Sequence, residues 1–120
     1  MKRSLLLSVI VLCFSCSRPL PDLDRFDQKA WKDDPKGCMG SRESQLASLR
    51  EQREKLKGLS ERDVVTLLGL PDANDLSEHN GKFYYYFITP GPGCVGIDSL
   101  GLALIVRFNA TGVSREVAIE

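Results

Sequence analysis

The chain contains one histidine in 120 residues and no excess of either charge, with 16 basic and 16 acidic side chains. His79 lies in a polar stretch typical of an exposed turn, so the sequence offers no histidine base held near a nucleophile. The only Cys-x-x-Cys spacing, Cys13 to Cys16, lies at the end of the N-terminal apolar run, and none occurs in the rest of the chain to indicate zinc. The glycines at 91, 93 and 96 precede a predicted strand, whereas a phosphate-binding loop precedes a helix. Balanced charge leaves no electrostatic footprint for nucleic acid. We therefore expect no enzyme activity, metal, cofactor or nucleic-acid partner.

An apolar run long enough to cross a membrane is also missing. The longest run, residues 5–14, is half of the roughly twenty residues that a spanning helix needs. Lys2 and Arg3 precede it, and this order is typical of a secretory signal. We therefore expect residues 1–15 to be a signal peptide that is removed on export.

The end of this signal carries the pattern of a lipid-modified protein. Residues 13–16 resemble the lipobox of bacterial lipoproteins, in which a small residue, here Ser15, precedes the cysteine that is lipidated. The resemblance implies a lipid anchor on Cys16, and the two or more acyl chains of that class hold a protein stably. Ser17 replaces the aspartate that retains such proteins at the inner membrane of proteobacteria, which favours an outer-membrane location facing the periplasm. Cys13 stands where leucine is usual, and secretion without lipid is the alternative.

Two of the four cysteines are left over after export. With Cys13 removed and Cys16 lipidated, Cys38 and Cys94 remain, and such a pair most often forms a disulfide in an oxidising compartment. Both lie among glycines, which give the backbone freedom to meet the geometry of the bond. A metal site and two unpaired thiols are the alternatives.

The exported part is expected to be one domain on a tether. Prolines and charges dominate residues 16–37, which is typical of a flexible connection. Within it, Phe26, Ala30 and Trp31 have helix-compatible spacing, so a short amphipathic turn is expected. Trp31 then either covers the edge of a small core or anchors a partner protein. The domain itself is assigned to residues 38–120.

Two helices are predicted in the first half of this domain. Residues 41–57 are rich in helix formers, and their leucines recur on one face. In the next segment Ser60 is an N-cap, and Leu59 and Val64 occupy the positions of a hydrophobic staple. That helix is expected to end at Gly69, where a left-handed conformation is accessible, before Pro71.

Three strands are predicted in the second half. Residues 83–88 are aromatic and β-branched, and residues 102–108 and 113–119 alternate apolar and other side chains. Residues 109–112 form a tight hairpin turn, residues 89–99 a glycine- and proline-rich loop, and residues 72–82 a polar turn. The predicted fold is α+β, with two helices packed on one face of a three-stranded antiparallel sheet in the order α-α-β-β-β.

Three of these patterns together resemble a known family. Residues 58–71, 83–87 and 104–113 are similar to the capped helix, the aromatic strand and the closing hairpin of the small outer-membrane lipoproteins of the SmpA/OmlA, or BamE-like, family. The resemblance implies a non-enzymatic accessory scaffold of outer-membrane barrel assembly, or a module that binds other envelope proteins. The architecture is also similar to modules that inhibit β-lactamases (BLIP-like). Cys38 and Cys94 are not part of the family pattern.

Two functions from different classes follow. The first is an envelope interaction protein that binds partner proteins through the aromatic sheet or the loop of residues 90–99. The second is a periplasmic ligand-binding or inhibitor-type lipoprotein. In it, Trp31 and the tyrosines Tyr84, Tyr85 and Tyr86 line one small pocket. These four aromatic residues are the candidate interaction residues.

Overall fold

The computed structural model describes residues 19–120. The predicted signal peptide, residues 1–15, and the predicted lipidation site, Cys16, lie outside the described residues. Within the described part the chain forms three α-helices and four strands. They are α1 Gln28–Lys32, α2 Leu46–Gln52, α3 Glu61–Leu68, β1 Ala73–Leu76, β2 Lys82–Phe87, β3 Ala103–Phe108 and β4 Ser114–Ile119.

The four strands form one antiparallel sheet in the order β1-β2-β3-β4, so every strand pairs with its neighbour in the sequence. The predicted α+β class is confirmed. The predicted number of three strands is wrong, because β1 forms within residues 72–82, where the sequence predicts a polar turn. All four β1 side chains are exposed. The strand is held by backbone pairing that places Ala73 opposite Tyr85 and Leu76 opposite Lys82. An edge strand that buries no side chain leaves no hydrophobic pattern in the sequence.

The core lies on one face of the sheet, beneath the helices. Its sheet side comes from alternate residues of the three longer strands, and its helix side from the leucines and valine of α2, α3 and the turn between them. The fully or nearly fully buried members are Trp31, Leu49, Leu56, Val64, Leu67, Leu68, Tyr86, Ile88, Leu104, Val106, Phe108 and Val117. Alternation along a strand sends the remaining side chains to the opposite face.

Local signals place α3 where the sequence predicts it. The Ser60 hydroxyl accepts a hydrogen bond from the backbone N–H of Asp63 at 3.1 Å, which caps the first turn. Gly69 ends the helix at a φ of 81°, a value that favours glycine. Val64, Leu67 and Leu68 are buried on its inner face, so the helix is fixed both by its ends and by its apolar stripe.

The first predicted helix, residues 41–57, is interrupted. A 3-10 turn at Glu43–Gln45 leads into α2, and another at Arg53–Leu56 follows it. The breaks fall at Gln45 and Gln52, whose side chains bind the backbone of the preceding segment. Gln45 Oε1 accepts from Asp27 N at 2.6 Å. Gln52 pairs with Asp24 through both its Oε1 and Nε2, each at 2.7 Å.

This pairing docks much of the predicted tether onto the domain. Leu23 and Phe26 pack against the core, and α1 carries Trp31, which is fully buried. We call residues 22–27 the N-terminal arm. Backbone groups of Asp24 and Asp27 are bound by side chains of Gln45, Ser48 and Gln52. Leu23 and Phe26 are partly buried, so the arm is an ordered part of the fold. The proline and charge content of this segment does not indicate the docking, because the hydrogen-bond partners lie 18 to 28 residues away in the sequence.

Candidate interaction surface

One face of the sheet is left uncovered by the helices. Phe83 and Tyr85 of β2, Ile105 of β3 and Ala118 of β4 lie on it, and all four are partly exposed. Cross-strand pairing puts Tyr85 opposite Ile105 and Ile105 opposite Ala118. The Phe83 and Tyr85 rings lie with centroids 6.3 Å apart. We call these four residues the open sheet face.

Charged side chains border the open sheet face. Arg107 lies opposite Phe83 and Glu116 opposite Arg107, and the Arg107 and Glu116 side chains form an ion pair at 3.1 Å. Asp75 of β1 lies opposite Phe83 on the other side. A cavity of about 250 Å³ over this face also touches Glu120. Apolar and aromatic groups therefore occupy its centre, with charges at the margin.

The phenol of Tyr85 is perturbed by this setting. Partial burial raises its pKa first, and the neighbouring Asp75 carboxylate raises it further. The phenol is therefore present in its neutral, hydrogen-bonding form. It adds a hydrogen-bonding group to an otherwise apolar centre, a composition typical of protein-binding patches.

The other predicted interaction residues do not share this surface. Trp31 is 0% exposed. Its ring lies 5.4 Å from that of Phe26 and 6.4 Å from that of Tyr86, and the Arg42 guanidinium lies 4.9 Å from its centroid. Of the two roles predicted for Trp31, the position within the core matches this burial, and an exposed anchor does not. Its Nε1 is buried without a hydrogen-bond partner.

Tyr84 and Tyr86 point toward the helices, because neighbours in a strand face opposite sides. The Tyr84 hydroxyl donates to Glu61 at 2.9 Å, and burial together with this carboxylate raises the pKa of Tyr84 to about 12. The Tyr86 hydroxyl donates to the Gly69 carbonyl at 2.9 Å, and burial raises its pKa strongly. Trp31 and the three tyrosines therefore do not line one pocket, and the residue among them on the open sheet face is Tyr85.

The predicted disulfide is confirmed. Cys38 and Cys94 are bonded, with their Cα atoms 5.5 Å apart. The bond joins the segment after α1 to the long loop between β2 and β3. Gly37, just before it, has a φ of 68°, and a side chain there would meet the carbonyl oxygens of Phe87 and Ile88 at 2.7 and 2.6 Å. The glycine therefore allows this segment to approach the end of β2.

A buried polar network lies next to the disulfide, and the sequence does not predict it. Arg42 and Asp72 form a buried ion pair at 2.6 Å, with side chains 2% and 5% exposed. The Asp34 carboxylate accepts hydrogen bonds from the backbone N–H groups of Met39 and Arg42. In the sequence these are ordinary charged residues outside any apolar pattern, so nothing in it indicates their burial.

Across residues 19–120 there is no cluster of three or more His, Cys, Asp or Glu side chains that could hold a metal ion. No helix in that same part of the chain is both long and apolar enough to cross a membrane. Comparison with known proteins found no matching family model, no matching curated protein and no matching solved structure. The open sheet face is therefore interpreted from its own chemistry.

Proposed function

We propose that the chain is a non-enzymatic lipoprotein of the cell envelope that binds a partner protein through the open sheet face. In this proposal it is a distant BamE-like scaffold, anchored by lipid on Cys16 at the outer membrane and facing the periplasm. The observation that carries the proposal is the uncovered sheet face with Phe83, Tyr85 and Ile105 at its centre. Aromatic and aliphatic groups surrounded by charges are what a specific protein interface uses.

The shape of this surface supports a protein partner over a small ligand. A site for a small molecule encloses most of the ligand, whereas this cavity lies over partly exposed side chains of three neighbouring strands. A sheet face can instead meet a complementary protein surface over a wide area. The Tyr85 phenol supplies a hydrogen bond at the centre, and Asp75, Arg107 and Glu116 supply specificity at the margin.

The docked N-terminal arm supports a position close to the membrane. The Asp22 carbonyl accepts a hydrogen bond from Lys55 Nζ at 3.1 Å, so the chain is tied to the domain from this residue onwards. Cys16 and Asp22 are six positions apart in the sequence, and an extended chain of that length reaches roughly 20 Å. A lipid on Cys16 would thus hold the sheet near the membrane surface, where a scaffold for membrane proteins acts.

The test is a cross-linked affinity purification of the tagged protein from envelope membranes, read by mass spectrometry. We expect wild type to recover envelope proteins, including barrel-assembly components. Ile105→Glu places a charge at the centre of the open sheet face and should abolish this recovery. Ala47→Glu places the same charge on the exposed side of α2 and serves as the matched control. Equal recovery with both variants would remove the sheet face from the proposal.

The lipid anchor is tested by cell fractionation together with the same purification. Cys16→Ala should move the protein from the membrane to the soluble fraction and reduce partner recovery. A variant that stays in the membrane fraction would contradict the lipoprotein assignment. A soluble variant that still recovers the partners would show that the interaction does not need the anchor.

A further inference from the structure

A second cavity lies at the disulfide end of the molecule and shares no lining residue with the cavity over the open sheet face. It has a volume of about 280 Å³. Phe87, Pro92 and Leu100 provide its apolar side chains, and the glycines at 91, 93 and 101 bring backbone close to it. Lys36 completes the lining. We call it the loop cleft.

The loop that forms this cleft is firmly held. The Cys38–Cys94 disulfide ties it to the segment after α1. At its base, Leu102 N donates to Thr89 Oγ1 at 2.7 Å, and Ile88 N donates to the Leu102 carbonyl at 2.8 Å. A side chain at position 101 would collide with the Thr89 carbonyl oxygen. These bonds restrict the loop before any ligand arrives, which lowers the entropic cost of binding.

Apolar surface remains exposed on this rigid loop. Leu100 is 90% exposed although it lines the cleft. Covering this side chain with another apolar group would remove its surface from water, at about 25 cal/mol for each Å². The cleft therefore favours an occupant with an apolar part.

Lys36 contributes a positive charge to the lining of the loop cleft. Its φ of 63° is in the left-handed region, which is costly for a residue with a side chain. Its backbone N–H is fixed by Asp72 Oδ1 at 3.0 Å. A Cβ atom added to Gly93 would lie 2.9 Å from Lys36 Cδ, so the aliphatic part of the lysine side chain runs beside the cleft. Among the described residues, the Lys36 ammonium belongs to none of the ion pairs.

From this combination we propose that the loop cleft binds a free anionic amphiphile, a carboxylate with a medium-length alkyl chain. The alkyl chain packs against Phe87, Pro92 and Leu100, and the carboxylate pairs with the Lys36 ammonium. The volume of the loop cleft, about 280 Å³, lies at the lower end of the range for small-molecule sites, which suits a single alkyl chain of medium length. This site is independent of the partner-binding role of the open sheet face.

The experiment titrates sodium decanoate into the exported chain carrying Cys16→Ala, with the disulfide intact, below the concentration at which decanoate forms micelles. Amide NMR shifts report binding. We expect saturable shifts at Gly91, Gly93 and Gly101, and weaker binding of decyltrimethylammonium by about threefold, the size of an exposed ion pair. Lys36→Gln should abolish this preference. Absent shifts, or equal affinity for the two amphiphiles in wild type, would overturn the proposal.

Matched variants locate the site. Leu100→Gln should weaken decanoate binding by about tenfold, because it removes an apolar wall. Val95→Gln changes a fully exposed apolar residue of the same loop that does not line the cleft, and it should bind like wild type. Equal effects of the two would contradict the assignment.

Two further measurements distinguish the loop cleft from a lipid surface and from the open sheet face. Phosphatidylglycerol vesicles that bind the protein while free decanoate does not would replace the proposal with contact to a lipid bilayer. Ile105→Glu should bind decanoate normally, so a failure of the open sheet face as a partner site and a failure of the loop cleft are distinguishable.

Discussion

At the scale of single residues, the buried carboxylate of Asp72 connects three segments of the described chain. Its carboxylate accepts hydrogen bonds from Arg42 Nη1 at 2.6 Å, Phe87 N at 2.8 Å and Lys36 N at 3.0 Å. Arg42 in turn donates to the carbonyls of Trp31 and Phe87. One buried pair thus joins the segment after α1 to the end of β2, next to both the disulfide and the loop cleft.

Loss of the Asp72 charge should be costly. Asp72→Asn would leave the Arg42 guanidinium buried without its counter-charge, and breaking a buried pair in this way costs about 3 kcal/mol or more of the free energy of unfolding. Urea denaturation measures this. Asp33→Asn is the matched control, because Asp33 pairs with Lys29 at 2.8 Å on the exposed surface, and exposed pairs contribute little. Equal losses in the two variants would show that the Arg42 pair is not energetically distinct.

At the scale of elements, Gln52 decides where α2 ends and where the N-terminal arm lies. Its φ and ψ of −124° and 13° leave the helical region, and its amide pairs with both the N–H and the carbonyl of Asp24. The Gln52 side-chain amide thus forms the same pair of hydrogen bonds with Asp24 that a neighbouring strand would form with its backbone. The helix is interrupted because this side chain binds the arm.

Removal of the Gln52 amide should therefore release the arm. In Gln52→Ala, the Asp24 N–H loses its partner while the Asp24 carbonyl keeps the Ser48 hydroxyl at 2.6 Å, and one unsatisfied, partly buried group costs about 1 kcal/mol. We expect trypsin to cleave after Arg25 at least about tenfold faster than in wild type, because cleavage requires local opening. Gln28→Ala, at an exposed position of α1, should cleave at the wild-type rate. Unchanged cleavage in Gln52→Ala would mean that the packing of Leu23 and Phe26 and the Gln45 bond to Asp27 hold the arm without the Gln52 amide.

Some of these elements could be predicted from the sequence and others could not. The bounds of α3 follow from signals inside it, the Ser60 cap and Gly69, so reading the chain locally was sufficient. β1 and the arm depend on partners far away in the sequence and bury few side chains, so no periodic pattern indicates them. The three tyrosines of β2 were grouped by composition, but strand alternation divides them between two faces. Tyr85 on the open sheet face could have been separated from Tyr84 and Tyr86 by applying that alternation.

At the scale of the whole molecule, the disulfide encloses most of the fold. Cys38 and Cys94 are 56 residues apart, and the ring that they close contains α2, α3, β1 and β2. In the chain-entropy account, closing a ring of this length restricts the unfolded chain and stabilises the native state by about 4 kcal/mol. For a domain of this size, that is a large share of the total stability.

The double variant Cys38→Ser/Cys94→Ser tests this contribution. Cys38 is exposed and Cys94 partly so, so serine leaves no cavity in the core and the change acts mainly on the unfolded state. We expect a melting temperature lower by more than about 10 °C, since 1 kcal/mol corresponds to about 4 to 8 °C for a domain of this size. A reducing agent should lower wild type to the same value and leave the double variant unchanged. If neither the double substitution nor the reducing agent changes the melting temperature, the disulfide does not contribute to stability. The buried Arg42–Asp72 pair and the core would then be sufficient to hold this end of the molecule.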